Sequence, residues 1–260
     1  MVRGIWEEMV LLSGSRLAVR DKIIVALDVP TIDQALALVD LTRESVGMYK
    51  VGMELFYGSG VSGLLRLQER GAGVFLDLKL HDIPNTVRRT SRILSGLGVA
   101  MFNVHCSGGR EMMEAAVAGA DEGTVEGQSR PVILGVTLLT SIGQDMLQAL
   151  GVERSVPDHV TSLATMADRS GLSGVVASPL EIRQIKEACG DRFLVVTPGV
   201  RPRWTEAGDQ RRFATPAEAI SAGADYIVVG RAITASSDPS AAAKRLLEET
   251  DVEVTALTSS

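Results

Sequence analysis

From Ile23 to Val229 the chain repeats one unit: a short apolar run, a polar residue at or just past its end, then a helix-like segment. The apolar runs are Ile23–Val29, Met48–Val51, Val74–Leu80, Met101–His105, Pro131–Thr137, Gly174–Ala177, Phe193–Thr197 and Tyr226–Val229. Their length and their content of Val, Ile and Leu predict strands. Helices are predicted between them: Ile32 to about Ser45, capped by Thr31, then Gly60–Arg70, Thr86–Leu97 and Arg110–Ala120. A short helix near Gln144, a longer one over Pro157–Ser170, one opened by Pro179 and a last over Pro239–Glu249 complete the series. Strands apolar on both faces that alternate with helices make a parallel sheet covered on each side. Eight such units in about 230 residues, without a linker, predict a single-domain α/β protein, a closed (β/α)8 barrel. An open doubly wound sheet is the alternative, because a strand count does not establish closure. Residues 1–21 read as a leader segment, 22–249 as the barrel and 250–260 as a loose C-terminal tail.

Charge and composition narrow the class. A net charge of −6 offers no basic stripe for nucleic acid. No apolar run approaches the ~18 residues of a membrane span. Met9–Leu12 is too short for the core of a secretion signal and follows Glu7 and Glu8, so a cytoplasmic protein is expected. Cys106 and Cys189 form neither a disulfide framework nor a metal motif, and both are expected to be buried free thiols.

The chemistry concentrates in Phe75-Leu-Asp-Leu-Lys-Leu-His-Asp-Ile-Pro-Asn-Thr86. On a strand, Asp77 and Lys79 share one face while Leu76, Leu78 and Leu80 take the other. Asp82 follows where Pro84 and Asn85 mark the end of the strand. Charges on a central strand persist only when paired or required by function, since an unpaired buried ion costs several kcal/mol. A structural ion pair would account for Asp77 and Lys79 alone.

Other polar residues fall at the same end of their strands: Asp28 at the end of the first, Lys50 near the end of the second, His105 at the fourth, Thr137 at the fifth, Arg231 after the eighth. In a (β/α)8 barrel that rim is where sites form. Val229-Gly-Arg231 and Thr197-Pro-Gly-Val-Arg201 follow the last two strands, where glycine lets backbone N–H groups approach an anion and arginine adds a fork of donors. The polar stretch from Arg201 to Phe213 is placed to act as a lid, with Arg203, Arg211 and Arg212 expected to be solvated. His81 is expected to orient a neighbour, His105 to face the site and His159 to lie on the surface. No histidine spacing fits a metal motif.

Together these residues resemble the orotidine 5′-phosphate decarboxylase family. The resemblance runs from Lys22 to about Glu249 and is carried by Phe75–Thr86, with Ala26-Leu-Asp28, Lys50-Val-Gly52, Val136–Ser141, Thr197–Arg201, Asp209-Gln210 and Val229–Arg231 in the family's order. It implies conversion of orotidine 5′-monophosphate to UMP without cofactor or metal. It assigns proton donation to Lys79 within a network of Lys50, Asp77, Lys79 and Asp82. It gives the ribose to Asp28, Lys50 and Thr86, the pyrimidine to Thr140 and Ser141, and the phosphate to Arg201, Gln210, Gly230 and Arg231. It also implies a homodimer in which Asp82 and Thr86 reach into the partner's site, with no nucleic-acid or membrane partner.

Two rivals remain at this stage. Magnesium-dependent sister barrels, the hexulose-phosphate synthases and keto-gulonate-phosphate decarboxylases, share the Asp-x-Lys-x-x-Asp pattern. They carry a metal-binding carboxylate on strand two where this chain has Lys50, and a lysine there repels a dication. A barrel that only binds a phosphorylated ligand would explain Gly230 and Arg231 but not the charged cluster.

Overall fold

The computed structural model describes residues 18–205 and 214–258. Eight parallel strands close into a barrel in sequence order: β1 (Ile23–Ala26), β2 (Met48–Gly52), β3 (Val74–Leu80), β4 (Met101–His105), β5 (Val132–Val136), β6 (Gly174–Val176), β7 (Leu194–Thr197) and β8 (Tyr226–Val229). Closure is made by β8 pairing with β1, with Ile24 opposite Val228. The closed barrel is therefore the architecture, and the open sheet is excluded.

The helices are α1 (Val19–Lys22), α2 (Ile32–Thr42), α3 (Met53–Glu69), α4 (Pro84–Gly96), α5 (Arg110–Gly123), α6 (Gln144–Ala149), α7 (Val156–Arg169), α8 (Ile182–Cys189), α9 (Pro216–Ser221), α10 (Arg231–Thr234) and α11 (Pro239–Thr258). The Thr31 side chain does cap α2, accepting from the Gln34 N–H.

Several boundaries differ from the sequence expectations. Helix α3 begins at Met53, seven residues before Gly60, whose φ of 62° breaks the helix internally; the glycine that looks like a helix start is a kink. Strand β1 stops at Ala26, which places Asp28 in the loop beyond it. Pro179 opens a single 3-10 turn before α8. Helix α9, built on a Thr215–Glu218 capping box, is absent from the sequence reading because only six residues carry it. Of the expected C-terminal tail, residues 250–258 continue α11, and 259–260 lie outside the described residues. Of the expected leader, residues 1–17 lie outside the described residues, and Val19–Lys22 is helical.

Strand alternation sorts the apolar residues into two cores. Ile24, Met48, Phe75, Met101, Leu134, Val196 and Val228 fill the barrel interior. Ile23, Val25, Val51, Leu76, Phe102 and Val104 face the helices and pack in the surrounding shell. Parity then aims Lys50, Asp77, Lys79 and Asn103 inward, above the apolar plug.

Helices α4 and α5 meet closely along Gly119 and Gly123. A Cβ on Gly119 would stand 2.0 Å from the Arg88 carbonyl oxygen, and one on Gly123 would stand 2.1 Å from that of Arg92. Backbone occupies the space, so the pair of helices would have to separate. Because α4 starts just after Asp82 and carries Thr86, this contact fixes the rim beside β3. Gly119→Ala should lower the unfolding free energy by about 1–3 kcal/mol, read as a lower midpoint in thermal or urea unfolding. Gly58→Ala, whose added methyl would sit 3.7 Å from the Pro30 carbonyl oxygen in an exposed turn of α3, should instead raise it by about 0.5–1 kcal/mol.

Candidate active site

The charged residues at the C-terminal rim form one alternating chain. Lys50 Nζ lies 3.0 Å from Asp28 Oδ1 and 3.4 Å from Asp77 Oδ2. Lys79 Nζ lies 2.7 Å from Asp77 Oδ1. The side chains of Lys50 and Asp77 are 13% and 12% exposed, against 59% for Asp28. Asp77 is thus the anion between two ammonium groups in a largely dry pocket. Removing one member of such a pair typically costs about 3–5 kcal/mol, because the other charge is left uncompensated. Gly52, opposite Asp77 on β2, keeps the space open: a Cβ there would press to 3.3 Å from Lys50 Nζ.

Asn103, which the sequence reading missed, completes the cluster. It is buried, donates from Nδ2 to Asp77 Oδ1 at 2.7 Å and accepts the Lys79 backbone N–H on Oδ1 at 2.8 Å. The available signal was its parity with His105 on a strand of otherwise apolar residues.

Strand β3 does not run regularly to its end. Its pairing with β4 shifts between Leu76 and Leu80: four steps on β3 match two on β4, from Phe102 to Val104. Lys79 sits in this bulge with φ 53°, the only non-glycine residue of positive φ among the described residues. Left-handed backbone is unfavourable for a side chain with a Cβ. Leu78 and Leu80 still pack toward the shell, so the expected division of faces survives the irregularity.

Not every expected residue joins the network. Asp82 is exposed and its Oδ1 accepts the N–H of Ile83 at 2.6 Å, so one chain assembles Asp28, Lys50, Asp77 and Lys79 without it. Thr86, in the first turn of α4, is also exposed. Thr140 and Ser141 form the exposed tip of the turn Leu139–Ile142 beyond β5. Arg201 is half-buried and donates its N–H to the Ala214 carbonyl at 3.0 Å, next to the bridge between Val200 and Ala214. Gly230 caps α10, whose first residue is the exposed Arg231, just beyond β8; β8 adjoins β7, the strand that leads to Arg201. Gln210, Asp209, Arg211 and Arg212 lie outside the described residues. Arg203 is solvated as expected, 3.7 Å from Glu218.

The histidines and cysteines add detail. His81 and His105 stand with ring centroids 5.3 Å apart at the edge of the cluster. Burial, then the neighbouring His81 and Lys79, push the His105 imidazole below its ordinary 6.5, with Asp77 opposing. His159 is half-buried rather than a simple surface residue. Cys106 is fully buried, its thiol pushed up to about 12 by desolvation, whereas Cys189 is only half-buried. Among the described residues no group of three or more His, Cys, Asp or Glu could hold a metal ion, and no helix is long and apolar enough to cross a membrane.

A cavity of about 570 Å³ opens at the opposite end of the barrel, lined by Met48, Gln68, Met101, Arg130 and Tyr226. It lies at the N-terminal ends of the strands, the end these barrels leave to stability. The charged rim is the better candidate.

Fold and rim together define a parallel (β/α)8 barrel with a lysine–carboxylate–lysine site. The chain belongs to the orotidine 5′-phosphate decarboxylase / HUMPS family, whose family model matches residues 21–246. It is 49% identical to the orotidine 5′-phosphate decarboxylase of Moorella thermoacetica, over 91% of this chain and 95% of that protein. It is 50% identical to that of Heliobacterium modesticaldum, over 88% and 96%. The crystal structure of orotidine 5′-phosphate decarboxylase from Lactobacillus acidophilus superposes with a TM-score of 0.79 at 42% identity, over 88% of this chain and 98% of that one.

The depressed His105 has a consequence for stability. Between 6.5 and its lower folded value, the unfolded chain binds the proton that the folded chain refuses, so this contribution to stability falls as the pH drops through that window and is complete above 6.5. An NMR titration assigned with His105→Gln should show the imidazole titrating below 6.5. Titration at or above that value would contradict the burial argument.

Proposed function

We propose that this chain is an enzyme that decarboxylates orotidine 5′-monophosphate to UMP and carbon dioxide, the last step of de novo UMP synthesis, with no metal or cofactor. The observation that carries the reading is the Lys50–Asp77–Lys79 array at the barrel mouth, in a chain of this family whose named relatives are decarboxylases.

In the proposed reaction the bond from C6 to the carboxylate breaks, carbon dioxide leaves and the electron pair stays on C6. Lys79 is the group suited to that carbon. Its ammonium stabilises the developing charge and then gives up a proton to form the C6–H bond, after which solvent reprotonates the amine. Asp77 holds the two lysines; the 2.7 Å contact to Lys79 and the 3.4 Å contact to Lys50 support that role. Asp28, Lys50 and Thr86 bind the ribose, and Thr140 and Ser141 the pyrimidine. Arg201, Gln210, Gly230 and Arg231 hold the phosphate, whose binding energy can be used to assemble a site remote from it.

The same reading makes the protein a homodimer, with Asp82 and Thr86 completing the site of the partner subunit. Support comes from their placement: both are exposed, Asp82 reaches no lysine of its own chain, and the exposed Ile83 lies between them.

The direct test is loss of orotidine 5′-monophosphate absorbance with excess EDTA present. Turnover should survive the chelator, fall by roughly a thousandfold or more in Lys79→Ala, and leave UMP binding by that variant intact. Activity lost to EDTA and restored by magnesium would move the chain to the sister enzymes; silence in both conditions would overturn the substrate assignment. Arg231→Ala should raise KM by about tenfold or more while changing kcat less, and unchanged kinetics would remove it from the site.

Sharing of sites has its own test. Lys79→Ala and Asp82→Ala proteins, each inactive, are mixed and allowed to exchange subunits. Mixed dimers then hold one intact site, and about a quarter of the parent activity should return. No recovery, with exchange verified by mass, would place Asp82 outside the partner's site.

A further inference from the structure

We infer that Asn103 is the positioning residue of this site: its side chain holds the β3 bulge and thereby sets where the Lys79 ammonium and the Asp77 carboxylate stand. The inference rests on the proposed decarboxylation only for its kinetic readout.

The bulge creates the need. With two extra residues on β3 between Leu76 and Leu80, the ladder to β4 is interrupted. The Lys79 N–H therefore lacks a regular strand partner, and Asn103 Oδ1 takes it at 2.8 Å. A buried amide without a partner is unfavourable, so this bond helps Lys79 keep its φ of 53°. The other end of the same side chain donates to Asp77 Oδ1 at 2.7 Å, the oxygen that also accepts Lys79 Nζ. One planar amide thus fixes a backbone donor and a side-chain acceptor of the same bulge.

The chemistry of the two ends fixes the orientation of the amide. The N–H of Lys79 can only donate and the ionised Asp77 can only accept, so the residue between them must offer one acceptor and one donor. Aspartate would supply the acceptor and set a second carboxylate against Asp77 until one of the two gained a proton. Leucine would fill much of the volume and satisfy neither end. The titratable groups around Asn103 are Asp77 and Lys79 of β3, Lys50 of β2 beyond Asp77, and His105 two residues along β4 with His81 beside it. Strand β5, on the other side of β4, carries none.

The test compares the parent with Asn103→Ala and the near-isosteric Asn103→Asp. Asn103→Ala should lose about 100-fold in kcat while its affinity for UMP changes by less than about threefold, because the phosphate and ribose contacts are not its own. The ratio of Asn103→Asp to parent activity should rise at least about tenfold from pH 8 to pH 5, as the shared proton restores a donor toward Asp77. A merely structural asparagine would lower both variants without that acid recovery. Parent-like kcat in Asn103→Ala, a flat ratio for Asn103→Asp, or UMP affinity falling together with kcat would each overturn the inference. If Asn103→Ala does not fold, the pH ratio of Asn103→Asp decides alone.

A second readout needs no turnover. Acylation of Lys79 with acetic anhydride, followed by peptide mass spectrometry, should change in rate at least about threefold in Asn103→Asp at pH 8, with the exposed Lys244 as an internal standard. An inactive parent would overturn the proposed reaction, and this labelling would then decide the role of Asn103: an unchanged Lys79 rate refutes it.

Discussion

The Asp77 carboxylate, held between the ammonium groups of Lys50 and Lys79, is the interaction on which the rest of the rim depends. Two lysines pointing into one narrow mouth repel each other, and in a dry pocket that repulsion is poorly screened. Asp77 turns it into two attractions, and Asp28 adds a third contact on the solvent side of Lys50. The four groups come from two adjacent strands, β2 and β3, and from the loop after β1. The pairing of β1 with β2 and of β2 with β3 brings them within reach of one another. The barrel below is filled with Ile24, Met48, Phe75, Met101 and Val228, which keep water from entering beneath the charges. Folding and site assembly are thus one event, because the alternation that buries Phe75 also aims Asp77.

The lateral position of the rim is set by a different kind of contact. Helix α4 leaves the β3 loop with Pro84 and lies against α5 with no side chain between their backbones at Gly119 and Gly123. Small residues permit that approach, and close packing makes it stiff. The loop from His81 to Ile83 is therefore short and tied at both ends, by the bulge on one side and by α4 on the other. Asp82 is left presented outward, away from its own lysines.

How much of this the sequence disclosed depends on the length scale of the signal. Alternation of period two and a run of polar residues at strand ends made the barrel and its inward-facing Lys50, Asp77, Lys79 and His105 legible. The division of labour proposed for Arg201, Thr140, Ser141 and Arg231 rests on the family resemblance and on no local pattern. What stayed hidden was set by tertiary context. Gly60 reads as a helix start and is a kink, because local composition cannot distinguish a break within a helix from its beginning. Asn103 is a lone amide in an apolar strand, and nothing local says that a bulge on the neighbouring strand requires one. The continuation of α11 past Glu249 escaped because Asp251, Glu253 and the threonines around them dilute the apolar period, although the backbone goes on in helical form.

The bulge itself explains why strain is placed where it is. A glycine at position 79 would adopt φ 53° without the steric penalty that any residue with a Cβ incurs, yet this chain puts a lysine there. A strained non-glycine residue persists when its surroundings over-determine it and its side chain is needed at that point. Both conditions hold. The surroundings are Asn103, which takes the Lys79 N–H, and Leu78 and Leu80, which anchor the strand on either side in the outer shell. The need is the one the proposed function gives it, an ammonium beside Asp77, which stays in register with Gly52. Bending the chain back through a left-handed residue brings the ammonium to 2.7 Å from the carboxylate two positions earlier. The strain therefore marks Lys79 as a residue whose position its neighbours fix, which fits the role proposed for its ammonium.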